Sequence, residues 1–289
     1  MAFKGIFFGL TTVDIINYVP RYPILNEKLK AERQLSLTGG PAANAAVAFA
    51  AFENECTLIS GLGHHPLTAL IKQDLNQYNI SVIDWSDQPD RPPVLSSIIV
   101  DLTNGQRTIV YANSDHRRLK KETSYEPFLE LADVLLVDGH YITEAVAIAK
   151  AAKLYGIPVV LDGGSWKNEE EQLLPYIDYA VCSEDFMPPD CQNATELIAS
   201  LRQYGIKHIA VTRGERPTVA WDNGTLKEIP IMQVKAMDTL GAGDILHGAF
   251  CHYILEHDFF TSLARAAEVA SLSCTALGTR SWIEQEKFA

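Results

Sequence analysis

Short, unbroken apolar runs recur along this chain, separated by stretches with helical spacing. The runs are "GIFFGL" (5–10), "TLISGL" (57–62), "VLLVDG" (134–139), "PVVLDG" (158–163), "YAVCS" (179–183) and "HIAVTRG" (208–214). A strand with one wet face alternates apolar and polar residues, so unbroken runs of strand length belong in a sheet covered on both faces. Between them lie "PAANAAVAFAAF", "LTALIKQDLNQY", "TEAVAIAKAAKLYG", "ATELIASLRQYG" and "FTSLARAAEVASLSC". In the third of these, Ala145, Ile148, Ala149 and Ala152 fall on one stripe, and Gly156 ends the pattern. The alternation predicts an α/β fold: a mostly parallel sheet with helices on both sides.

Two segments break the rhythm. Residues 14–38 hold "IINYVPRYP" and an alternating "KLKAERQLSL". Residues 94–112 read as a hairpin about Asn104-Gly105. Both are expected to assemble into a small, antiparallel sheet projecting from the main body, formed by about 11–38 and 92–112 within a single domain spanning 1–289.

The formal net charge is −12, which leaves no basic footprint for nucleic acid. The five cysteines, Cys56, Cys182, Cys191, Cys251 and Cys274, form no C-x-x-C pair and are expected to be reduced. The first residues lack a signal-peptide layout, and no apolar run reaches membrane-spanning length. The expectation is a cytoplasmic protein with no membrane partner, in which the glycosylation-like Asn193-Ala194-Thr195 and Asn223-Gly224-Thr225 carry no meaning. The histidines His247, His252 and His257 are five apart, on different faces of a helix, and suggest no metal site.

The chemistry is concentrated in "AMDTLGAGDILHGAF" (236–250). Gly241, Ala242 and Gly243 lie between two acids, Asp238 and Asp244, and a helical run follows. A helix N-terminus offers unpaired N–H groups and a positive dipole end, and glycines let an anion approach the backbone. Asp244 gains nothing from the anion itself. It makes chemical sense as the acceptor of a proton from the group that attacks a phosphate. Taken alone, the stretch is equally well a glycine-rich turn with an acidic cap.

"DTLGAGD" (238–244) resembles the C-terminal signature of the PfkB, or ribokinase-like, carbohydrate kinases. "TGGPAANAAVAFA" (38–50) resembles their N-terminal glycine-rich signature, and "VTRGE" (211–215) falls where the family has a nucleotide-binding strand end. The order and separation match, and the resemblance covers essentially the whole chain. It implies a three-layer α/β/α sandwich with a small antiparallel β lid. The P-loop pattern G-x-x-x-x-G-K-[ST] is absent.

The resemblance also implies residue roles. Asp244 would be the catalytic base, with the backbone of Gly241, Ala242 and Gly243 as the anion hole. Thr239 would line the nucleotide phosphates, and Asp238 would help to form a monovalent-cation (K+) site or brace the turn. Asp14, Thr12, Gly39, Gly40 and Asn44 would hold the sugar. Thr212 and Gly214 would sit at the ATP site, with Ala270, Ser271 and Gly278 flanking the adenine; a plain core helix is the alternative for that last segment. Arg107, in "NGQRTIVY", resembles the lid arginine of the ketohexokinase branch, which "VDGHYITEA" (137–145) and "VCSEDF" (181–186) also resemble. Arg107 would approach the phosphates, or be an exposed strand residue.

Four positions depart from the family's pattern. The Asn-x-x-Glu motif that organises magnesium is replaced by Ser183 and Phe186, which leaves Glu184, Asp185 or Asp162 for Mg2+. The glycine expected after Gly214 is Pro217, and Pro41 stands where ribokinase has lysine, which argues against ribose. The expected activity is transfer of the γ-phosphoryl group of ATP to a hydroxyl, a primary alcohol, of a small sugar, by a homodimer that meets through the lid. Ile15, Tyr18 and Val19 would be buried between subunits or on their own main domain. A nucleoside kinase on the same fold and a catalytically silent sugar- or nucleotide-binding regulator are the alternatives. A phosphorylated sugar would need basic lid residues such as Arg33 and Arg107. An oxidoreductase is disfavoured, because no G-x-G-x-x-G follows the first strand.

Overall fold

In a computed structural model of the chain, which describes residues 2–112, 119–120 and 125–284, the unbroken apolar runs become inner strands of a nine-stranded sheet. Its strands are β1 (Lys4–Phe8), β4 (Glu55–Ser60), β5 (Ser81–Asp84), β8 (Val134–Val137), β9 (Val159–Gly163), β10 (Tyr179–Ser183), β11 (His208–Arg213), β12 (Arg216–Asp222) and β13 (Thr225–Ile229). The order is β13-β12-β11-β10-β9-β8-β1-β4-β5. All pairings from β5 to β11 are parallel, and β12 and β13 fold back antiparallel at one edge. Strands β5, β12 and β13 were not anticipated in the sequence. β5 and β13 are the edge strands and β12 lies next to the edge; all three carry exposed or half-buried positions, so they lack the unbroken apolar run that marks an inner strand.

Helices α1 (Pro41–Ala50), α2 (Pro66–Asn76), α6 (Ala242–Tyr253) and α7 (Phe259–Ser273) cover one face. Helices α3 (Glu126–Leu129), α4 (Ile142–Leu154) and α5 (Ala194–Arg202) cover the other. Strand residues divide between them by period two: Phe7 joins the first core, Ile6 and Phe8 the second. The predicted stripe of α4, Ala145, Ile148, Ala149 and Ala152, is its buried face. Among the described residues no helix is long and apolar enough to cross a membrane.

A second sheet holds β2 (Thr12–Val19), β3 (Arg33–Gly39), β6 (Val94–Asp101) and β7 (Arg107–Tyr111), in the order β3-β2-β6-β7. Its outer pairings are antiparallel and its central pairing, β2–β6, is parallel. The two central strands follow directly on β1 and β5, parallel strands of the main sheet, and so leave it in the same direction. Ile16, Tyr18, Ile98 and Val100 form this sheet's buried face and cluster with Leu240, in the loop that precedes α6. Tyr18 and Val19 are thus buried within the chain's own body, which is the second of the two placements open in the sequence.

Two features bring the ends of the molecule together at one place. The chain runs from β1 to β4 and β5 on one side, then crosses to β8 on the other. That reversal opens a crevice at the carboxyl ends of β1 and β8. The second feature is the close packing of α1 on α6. A Cβ added to Gly248 would lie 2.1 Å from the Ala45 carbonyl oxygen and 2.6 Å from the Ala48 Cβ. Only small residues permit this approach, and it sets the spacing between the first turns of the two helices. Gly248→Ala is expected to cost about 1–3 kcal/mol, seen as a lower midpoint in thermal unfolding.

Candidate active site

Helix α6 starts at Gly241, whose backbone is left-handed (φ 70°). A side chain there would be strained, and its Cβ would meet Thr279 Cγ2 at 2.7 Å. This turn leaves the first N–H groups of α6 without intrahelical acceptors; that of Ala242 donates back to the Thr239 carbonyl at 3.4 Å, and Gly243 is exposed. Asp244 follows within the first turn and is half-buried. Helix α1 brings Asn44 to it: the Asn44 Nδ2 donates to Asp244 Oδ2 at 2.7 Å. The two residues are 200 positions apart in sequence.

Protein atoms surround the Asp244 carboxylate, although part of its surface stays open to the crevice. That setting pushes its pKa up to about 7. Loss of water is the largest cause and the nearby Asp162 carboxylate adds to it, against the Asn44 hydrogen bond and the charges of His247 and Arg107. An acid that ionises near neutrality is well matched to take up a proton.

The other glycine-rich turn forms the opposite wall. A Cβ on Gly39 would fall 2.0 Å from Asp14 Oδ2, so the carboxylate lies directly against that backbone. Thr12 Oγ1 donates to Asp14 at 2.6 Å. Burial raises the Asp14 pKa, opposed by hydrogen bonds from Thr12 and Ser96 and by the Arg280 charge. Gly40 caps α1 with φ 93°, and a Cβ there would strike the Leu10 carbonyl at 2.4 Å. Asp138, after β8, joins the pieces by accepting from the N–H groups of Leu10 (2.7 Å), Ala42 (3.2 Å) and His140 (3.0 Å). Burial alone would raise its pKa, but the His140 imidazole and these donors hold it below the usual value.

The second sheet touches the same loop. Arg107 Nη1 donates to Thr239 Oγ1 at 2.8 Å, and Thr239 Oγ1 donates to the Gly105 carbonyl at 3.3 Å. Tyr18 donates its hydroxyl to Asp238 Oδ2 at 2.6 Å. Asp238 also accepts from the N–H groups of Leu240 (2.9 Å) and Gly278 (2.9 Å). With three donors on it, this carboxylate braces the turn, one of the two roles open to it in the sequence.

The remaining expected residues are placed differently. Gly278, left-handed at φ 81°, lies against Leu35 and Tyr18 of the second sheet. Ala270 and Ser271 are buried in α7, as in the plain core-helix alternative. Thr212 donates to the Cys182 carbonyl at 3.3 Å, and Gly214 is an exposed turn residue with φ 63°. Glu184 is ion-paired with Arg216 on the surface, Asp185 is exposed, and Asp162 is buried 3.3 Å from His247. These three acids do not meet, and no group of three or more His, Cys, Asp or Glu side chains among the described residues is arranged to hold a metal.

Several residues here were not assigned to the site from the sequence: Ser96, Asp138, Tyr18, Thr279 and Arg280. Arg280 is buried and donates to Asn44 Oδ1 (2.9 Å), Thr279 Oγ1 (2.9 Å) and the Thr38 carbonyl (2.8 Å). Asn44 and Arg280 are 236 positions apart, beyond the reach of any local pattern.

A family model described as "pfkB family carbohydrate kinase" matches residues 4–286. The chain belongs to this family. It is therefore a phosphotransferase that uses an alcohol group as acceptor, on the ribokinase-like α/β/α fold. It is 26% identical over 267 residues to a ribokinase of Lactococcus lactis, covering 91% of this chain and 87% of that protein. It is 26% identical over 294 residues to a deoxyribokinase of Salmonella typhi, covering 94% and 93%. The solved Arabidopsis thaliana ribokinase, complexed with ribose and ATP, superposes with a TM-score of 0.77 at 23% identity and covers 100% of both chains.

Proposed function

We propose that this protein transfers the γ-phosphoryl group of ATP to a primary hydroxyl of a small sugar, with Asp244 as general base. The observation that carries this reading is the convergence of a carboxylate that ionises near pH 7 with the α6 N-terminus and its left-handed turn at Gly241. The ribose and ATP in the Arabidopsis relative, and the sugar kinases among the curated relatives, support the choice of substrates.

In this mechanism Asp14, Thr12, Asn44 and the backbone at Gly39 and Gly40 bind the sugar at one wall. Its reacting hydroxyl gives a proton to Asp244 as the oxygen bonds to the γ-phosphorus. The bond from that phosphorus to ADP breaks in the same displacement. The N–H groups of Gly241, Ala242 and Gly243 stabilise the charge on the transferring group, an effect worth about 10²–10³ in rate for a single donor. Arg107 and Thr239 close over the phosphates from the second sheet, which excludes water from the reacting centre. Magnesium bound to the ATP phosphates would shield their charge.

Asp244 must be ionised to act, so activity is expected to rise with pH and to level off above the pKa of about 7. A profile of kcat/KM against pH checks this. An acid limb near the ordinary carboxylate range would mean that Asp244 is not the group observed. Proton-coupled phosphorus NMR of the product tests the reaction itself. A primary ester gives a triplet from the adjacent CH2; a doublet would place the phosphate on a secondary hydroxyl, and no new ester would remove the kinase reading.

A further inference from the structure

We propose that Arg280 is a positioning residue that fixes the orientation of the Asn44 amide, and so holds Asp244 in place for proton abstraction. This rests on the reading of Asp244 as the base.

A side-chain amide can turn over and exchange its oxygen for its nitrogen, and little in its shape prevents this. A guanidinium cannot accept a hydrogen bond. Arg280 Nη1, 2.9 Å from the Asn44 amide, therefore selects the oxygen. The nitrogen is then turned towards Asp244, where it donates at 2.7 Å. A flipped amide would set its NH2 against the guanidinium and its oxygen against the Asp244 carboxylate, which is repulsive at both ends.

The guanidinium is itself held on several sides. Nη1 also donates to Thr279 Oγ1, and Nη2 donates to the Thr38 carbonyl. Asp74 Oδ2 lies 3.7 Å from Nη2 and accepts the Thr38 N–H at 3.0 Å. Asp14 also faces this charge. Trp282, 2% exposed, anchors the segment and donates its Nε1 to the Thr279 carbonyl at 3.1 Å. The arrangement leaves the Arg280 Nε buried with no acceptor. A role in packing alone does not account for keeping an unsatisfied buried donor. The result is a chain of contacts Asp74–Arg280–Asn44–Asp244 that links α2, the C-terminal segment, α1 and α6.

The test is a double-mutant cycle on turnover at saturating substrates, with Arg280→Met, Asn44→Ala and the double variant. Each single change is expected to lower kcat by about 10²-fold, the size of a small misplacement at the reacting centre. Residues that act as a unit are not additive. The double variant should therefore fall no more than about threefold below the slower single one. Effects that multiply, or an Arg280→Met enzyme with normal kcat, would overturn the proposal.

A second readout does not depend on activity. The side-chain amide of Asn44, assigned by its loss in Asn44→Ala, is followed by hydrogen exchange in the wild type and in Arg280→Lys. Lysine keeps the charge opposite Asp74 but lacks the fork, which guards against a variant that fails to fold. Exchange should be at least about tenfold faster in Arg280→Lys; an unchanged rate would overturn the proposal. If no sugar stimulates ADP release by the wild type, the kinase reading fails, and the Asn44 amide alone decides whether Arg280 orients it.

Discussion

Asp244→Asn is expected to lower turnover by about 10²–10⁴-fold, the usual contribution of a positioned general base. The substitution keeps the shape of the side chain and removes only its capacity to take up a proton. The affinity for nucleotide and sugar should therefore change little beside kcat. Stability gives an independent check, because the Asp244 pKa is raised from 3.8 to about 7 in the folded chain. A raised pKa favours the protonated form in the fold. That contribution is complete below pH 3.8 and lost as pH rises through 7. The asparagine variant should thus unfold at a higher temperature than the wild type above pH 7, with a smaller difference at pH 5. Loss of activity with loss of stability at pH 8 would point to disruption of the fold rather than removal of a base.

Gly39→Ala is expected to damage the other end of the site. Its Cβ would arrive 2.0 Å from Asp14 Oδ2 and 2.2 Å from Cγ. The carboxylate must move, and with it the hydrogen bond from Thr12. The sugar subsite would be lost while the turn at Gly241 stayed in place. The expected result is a fall in kcat/KM for the sugar of about 10²-fold or more, the effect of misplacing a binding group at the reacting centre, with the KM for ATP nearly unchanged. Equal damage to both substrates would mean that Asp14 and Gly39 do not belong to the sugar side.

What could be read from the sequence follows from the range over which each signal acts. The inner strands were legible because burial on both faces leaves an unbroken apolar run, as in "VLLV" of β8. The β12–β13 hairpin was missed although Asn223-Gly224 marks its turn, with φ 45° and 103°. Its flanking strands are half exposed, and the pair was read only as part of a glycosylation-like triplet. The two glycine-rich turns were legible because a left-handed residue at Gly241 and a close approach at Gly39 both demand glycine. The parallel pairing of β2 with β6 was not, since both segments read as antiparallel pieces. Gly278 was assigned to the adenine by its position in the chain alone, and its contacts with Tyr18 and Asp238 had no signal in the sequence. Arg280 stood in a stretch with no motif. Its importance appears only when the C-terminal segment packs beside α1.

If a sugar hydroxyl activated by Asp244 receives the phosphoryl group of ATP, a sugar must stimulate ATP turnover only while residue 244 can take up a proton. The most direct measurement is ADP release with magnesium and ATP over ketohexoses, aldopentoses, polyols, sugar phosphates and nucleosides, with wild type and Asp244→Asn side by side. The account predicts that sugars of one class stimulate release by the wild type, that each ADP is matched by one sugar phosphate ester, and that the asparagine variant loses the stimulation. ATP turnover that no sugar alters, or sugar-dependent turnover that survives in Asp244→Asn, would contradict it.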